Sequence, residues 1–189
     1  MKNILIGILA TFLLLGCSSK SDENKNIEPK LVVGKSLTDL NLKDQFGKEH
    51  SLNADTYKVI FAFDKEPAHT CNDFFNTQKP TYLQEHHVQF VADVSAAPSI
   101  IRSLFILPGL KDFKHIVLLL DDKNIAAPYR KGVDTTKIVV VTLLNKKITD
   151  IKTVSTKEKL QKEVEDDSAM SYIAPVINKV MDSVDNAAK

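Results

Sequence analysis

The stretch 59–76, VIFAFDKEPAHTCNDFFN, places one cysteine, Cys71, a few residues past an apolar run. A thiol at the junction of a strand and a helix can act as a nucleophile, because the positive end of the helix dipole favours thiolate. His69 stands two residues away, while Glu66 and Asp73 work against the anion. Three roles are open to Cys71: a reactive thiol, a half-buried packing residue, or, with His69, a ligand for copper or zinc. His86 and His87 follow at the far end of the same expected helix, roughly 22 Å away, so they cannot close on Cys71. His115, at the start of a later strand, is the other distant donor.

The second cysteine belongs to a different argument. The chain opens MKNILIGILATFLLLGC, with one Lys, an apolar stretch from Ile4 to Leu15, and then Gly16-Cys17. This is the pattern of an export signal, and it is shorter than the ~20 apolar residues of a membrane span. Leu14-Leu15-Gly16-Cys17 resembles a bacterial lipobox. The resemblance implies cleavage before Cys17 and diacylglycerol on its thiol, so the membrane is a partner through that lipid. Ser18, by resemblance to Gram-negative sorting rules, implies an outer-membrane anchor facing the periplasm. With Cys17 acylated, Cys71 is the one thiol left, and no disulfide can form within the chain.

Several function classes drop out. A net charge of +1 over 189 residues, without a basic cluster, gives no case for nucleic acid. There is no nucleophile-elbow, zinc-protease, phosphate-loop or dinucleotide motif. No cofactor is expected.

The elements that must position Cys71 follow from periodicity. Residues 1–16 read as the signal peptide, and 17–30 as the lipidated N-terminus and a flexible tether. Within 31–166, the stretch 37–52 reads as a hairpin around Phe46-Gly47-Lys48. Strands are expected at 58–64, 88–94, 115–122, 137–144 and 146–154. Helices are expected at 71–87, broken near Pro80, and at 97–113, interrupted at Pro108-Gly109. A short helix or turn covers 124–132, and a last helix follows the Ser155–Glu158 capping box. In 167–189, Met170, Ile173, Ile177, Val180 and Val184 form the stripe of an amphipathic helix.

This order predicts an α/β sandwich: a mixed, mainly parallel central sheet, helices on both faces, an N-terminal β-hairpin and an extra C-terminal helix. The order, with GKSLTDLNLKDQFGKEHSL as its hairpin, resembles the thioredoxin-like fold in its peroxiredoxin or redoxin version. The stretch from VADVSAAPSIIRSLF through HIVLLLDD to KLQKEV, residues 91–164, also resembles the YtfJ-type exported proteins. The resemblance implies a redox site at Cys71, and the residues depart from it. Cys71 lacks the second cysteine of a Cys-x-x-Cys pair. Ala68 and His69 stand where peroxiredoxins carry Thr and Pro, GVDTTKIVV holds no Arg, and 134–137 lacks the usual proline. The expected function is therefore a lipid-anchored envelope protein with a degenerate thioredoxin-like domain, a binding or structural module for another envelope protein. The alternatives are a single-cysteine thiol redox protein using Cys71 and a metal-handling protein using His69 and Cys71.

Overall fold

The computed structural model describes residues 27–53 and 55–166. Cys17 and the stripe expected at 167–189 lie outside them. Seven strands form one sheet: β1 (Asn41–Asp44), β2 (Glu49–Ser51), β3 (Lys58–Ala62), β4 (Val88–Asp93), β5 (Leu118–Leu120), β6 (Ile138–Leu144) and β7 (Lys147–Val154). Their order is β2-β1-β5-β4-β3-β6-β7. Parallel pairing is confined to the three central strands, β5-β4-β3. The hairpin β1-β2 joins one side antiparallel to β5, and β6-β7 joins the other antiparallel to β3. With a β-α-β unit first and a closing β-β-α, this is the thioredoxin-like arrangement that the sequence predicts.

Two-residue alternation divides the strands between two cores. Val59, Phe61, Val91, Val139 and Val141 face one side, where α5 (Lys123–Arg130) contributes Ala126 and Tyr129. Ile60, Ala62, Phe90, Ile138 and Val140 face the other. There they meet α1 (Lys65–Thr77), α2 (Tyr82–Glu85), α4 (Leu107–Lys111) and α6 (Lys157–Glu165). Burial on both faces is why β3 reads as an unbroken apolar run.

The helices depart from the sequence reading in three places. α1 begins at Lys65, six residues earlier than expected, with Asp64 at its N-cap and Pro67 in its first turn, where a missing N–H costs nothing. Pro108 and Gly109 do not interrupt the next helical segment. Instead α3 (Ser99–Ile101) runs into a widened turn, Arg102–Ile106, and then α4. The widening is an i→i+5 bond from the Leu107 N–H to the Arg102 carbonyl. It lies just where the Pro108 ring would otherwise strike the Leu104 carbonyl of a regular helix. Finally, the cap of α6 is Thr156, which accepts from the Lys159 N–H at 3.3 Å, one residue later than the expected Ser155.

The hairpin motif Asp44-Gln45-Phe46-Gly47-Lys48 is structural. One Asp44 oxygen accepts from the N–H groups of Phe46 (2.8 Å) and Lys48 (2.9 Å), and the other meets His50 Nε2 at 2.7 Å. Gly47 takes φ +86°, open to glycine at no steric cost. Burial opposes the Asp44 charge, but these bonds outweigh it and hold the carboxyl below its usual range.

Candidate functional site

Because α1 starts at Lys65, Cys71 lies nearly two turns inside it, away from the N-terminal dipole. It shares the buried stripe with Phe74 and Phe75, at the three- and four-residue steps that point a helix face at a sheet. Its exposure is 0 %. Burial alone pushes the thiol well above its ordinary pKa. The helix-entry position expected for Cys71 is thus corrected: the thiol faces the core, protonated and out of reach.

His69 is exposed on α1, and two residues apart on a helix do not face each other. His86 packs on Tyr82, with ring centroids 4.6 Å apart, and His87 lies 3.7 Å from Asp55. His115 is buried, its Nε2 3.0 Å from Asn72 Oδ1. The structure does not gather these donors. Among the described residues, no group of three or more His, Cys, Asp or Glu side chains could hold a metal ion.

What occupies the ends of the central strands is a charged junction. Asp64 ends the β3 segment and Asp93 ends β4, and the parallel pairing sets these ends side by side. Arg130, the last residue of α5, lies between them. Its Nη1 donates to Asp93 Oδ2 at 2.9 Å and to the Phe63 carbonyl at 2.7 Å, and its Nη2 donates to Asp64 Oδ1 at 3.0 Å. The Thr135 hydroxyl donates to the second Asp64 oxygen at 3.0 Å, and the Ser95 N–H to the second Asp93 oxygen at 2.8 Å. The Asp93 side chain is wholly buried. Burial disfavours the Arg130 charge, but Asp93 and Asp64 outweigh it and hold the guanidinium above its ordinary value. Asp64 makes no cap bond to α1, because both its oxygens are committed here.

Asp64 and Asp93 of this junction line a cavity of about 520 Å³ between α1 and the 99–111 segment. Its other walls are largely apolar: Phe63, Ala68, Val94, Ile106, Leu110 and Phe113. Asn72 and His69 supply polar edges, and Cys71 is not among its lining residues. The volume suits an apolar side chain with adjoining backbone. On the other side of Ser95-Ala96, Arg130 and Thr135 also border a shallower hollow of about 580 Å³, edged by Lys123 and Lys131. GVDTTKIVV holds no arginine, but Arg130 stands two residues before it, at a position the sequence did not single out. The available signal was a pair of acids ending two adjacent apolar strands, KVIFAFD and VQFVADV, which together call for a cation.

Neither a protein-family model nor a curated protein sequence matches the chain. Solved structures do. Peroxidoxin BcpB from Mycobacterium tuberculosis aligns with TM-score 0.46 at 16% identity, covering 70% of this chain and 93% of its own. A thioredoxin-like protein from Porphyromonas gingivalis aligns with TM-score 0.45 at 16% identity, covering 72% and 91%. The mitochondrial 2-Cys peroxiredoxin from Plasmodium falciparum aligns with TM-score 0.46 at 8% identity, covering 76% and 96%. These neighbours bear thiol-redox or thioredoxin names, while the fold of this chain rests on its own strand order. It is a thioredoxin-like domain in which the strand ends are closed by an Arg–Asp junction and the cysteine is turned into the core.

Proposed function

We propose that the protein is a lipid-anchored envelope protein whose thioredoxin-like domain binds a partner and carries out no thiol chemistry. The observation that supports this reading is the placement of Cys71, fully buried within α1 and absent from the cavity wall, while a built apolar cavity remains open beside it. A nucleophilic thiol needs exposure and a stabilised anion, and Cys71 has neither. In this proposal Cys17 carries the lipid, residues 18–30 tether the domain to the outer membrane, and the domain faces the periplasm. The partner is an extended segment of another envelope protein, inserting an apolar side chain between α1 and the 99–111 segment.

The test is calorimetric titration of the full-length chain with capped peptides of alternating apolar and polar residues. Ala97 lines the cavity, so Ala97→Phe fills it. The expected result is binding by the unaltered protein and at least tenfold weaker binding by Ala97→Phe. The reading is overturned if the peptides do not distinguish the two proteins, or if the chain consumes peroxide catalytically and Cys71→Ser abolishes that turnover.

A further inference from the structure

The 99–111 segment that walls the cavity turns a second side outward. Ile100, Leu104 and Phe105 are 63%, 61% and 68% exposed, and Ile101 is exposed beside them. Four large apolar side chains within six residues form a ridge, whereas along the chain the other exposed large apolar residues occur singly or as the pair Val32-Val33. Monomeric surfaces rarely carry such a ridge without an occupant. The ridge is also anchored from within. Ile106 and Leu107 pack against the core, and Arg102 Nη1 donates to the carbonyls of Val94 (3.3 Å) and Ala97 (3.4 Å). The widened turn at Arg102–Ile106 lies at the centre of the ridge.

We infer that this ridge seats the domain on an anionic lipid surface, resting on the reading that Cys17 is acylated. Charge favours lipid over a neutral protein face. Residues 98–114 contain Arg102, Lys111 and Lys114 against one acid, Asp112. Lys111 and Lys114 are exposed, and among the described residues neither has an ion-pair partner. Apolar side chains flanked by cations are the composition of a helix lying in the plane of a bilayer interface. Chain length permits it. Lys30 is already fixed to the domain, its N–H donating to the Pro128 carbonyl at 2.9 Å. From Cys17 to Lys30 the chain can reach at most ~45 Å, enough to pass from the α5 face, where Pro128 lies, to the side that carries the ridge. The anchor therefore keeps the domain near the membrane without fixing which face meets it, and the exposed apolar side chains with Lys111 and Lys114 select the ridge. One lipidated cysteine then holds the protein, and the ridge sets its orientation.

The sequence has no tryptophan, so one introduced residue is an unambiguous reporter. Phe105→Trp places it on the ridge. Ile125→Trp places it on α5, 52% exposed at the start and on the opposite face of the sheet. Each full-length, natively processed chain is reconstituted in vesicles of phosphatidylethanolamine and phosphatidylglycerol containing spin-labelled lipid. The expected result is several-fold stronger quenching at position 105 than at 125, lost when Leu104→Glu is added to the Phe105→Trp chain. Unchanged circular dichroism shows that Leu104→Glu, on an exposed residue, still folds. Equal quenching at the two positions overturns the inference. So does a blue-shifted but unquenched Trp at 105, which would mean that a second copy or the 167–189 stripe covers the ridge. The mass of the Cys17 peptide reads the anchor separately. Bare Cys17 defeats the anchor, and acylated Cys17 with equal quenching defeats only the seat.

Discussion

Two polar groups stand behind residues that line the cavity, Arg130 behind Asp64 and Asp93 and His115 behind Asn72 and Phe113, and they are built differently. At the strand ends, Arg130 meets two carboxylates and a carbonyl, and every remaining carboxylate oxygen accepts from Thr135 or the Ser95 N–H. His115 is enclosed by Phe75, Phe90 and Phe113, touches Asn72 through Nε2, and has no partner for Nδ1. The first is a saturated charge network, rigid and intolerant of loss. The second is a neutral ring held mainly by packing, with burial pushing its pKa down to about 4. The difference makes the junction the fixed group and His115 the one that acid can loosen.

Breaking the junction should have the largest effect. Arg130→Ala leaves Asp93 buried and unpaired, and stability should fall by about 3–5 kcal/mol in a urea titration. Arg130→Lys should recover only part of this, because one ammonium cannot bond both carboxylates and the Phe63 carbonyl in the same fork geometry. An effect of Arg130→Ala below about 1 kcal/mol would remove the contrast.

The His115 side makes a pH prediction. Unfolded chains protonate histidine near 6.5, whereas His115 in the folded protein stays neutral down to about 4. Between those values the unfolded state binds more protons, so stability should fall as pH falls from 6.5 to 4, by about 3 kcal/mol in total. His115→Phe, which keeps the aromatic packing, should flatten that window. Denaturation midpoints measured across it check the sign and the size. Asp44 responds lower: its held-down carboxyl contributes stability that is lost only as pH drops below 3.8.

Asp44 also sharpens the comparison, being fully bonded yet not among the residues that line the cavity. Asp44→Ala should cost about 2 kcal/mol through the hairpin turn and leave peptide affinity unchanged. The smallest expected effect belongs to Thr135→Val. One hydrogen bond to Asp64 is lost, for about 1 kcal/mol, with the Arg130 bonds retained. Thermal unfolding of this variant beside Arg130→Ala shows how the junction divides its strength.

Much of the architecture was legible because each core strand carries one type of signal. KVIFAFD and KIVVVTLL are buried on both faces and read as continuous apolar runs. The Asp44–Lys48 turn declared itself through an Asp-x-x-Gly-Lys pattern whose hydrogen bonds are local. The site was less legible because its bonds are long-range. Arg130 meets Asp64 and Asp93 across 66 and 37 residues of chain, and no local spacing encodes that meeting. The role of Cys71 turned on the start of α1. Glu66-Pro67 looked like loop before a helix, whereas Pro in a first turn belongs to the helix itself. Moving that boundary by six residues rotates the thiol from a helix entry into the core.

The most direct test of a thiol turned inward is the alkylation of Cys71 in the full-length chain, followed by peptide mass analysis, across pH 6–9 and with increasing urea. The structure predicts slow labelling that barely responds to pH in the folded protein and rises by orders of magnitude through the unfolding transition. Fast labelling of the folded chain, with an apparent pKa below the free-thiol value of about 8.5, would contradict it and return Cys71 to redox chemistry.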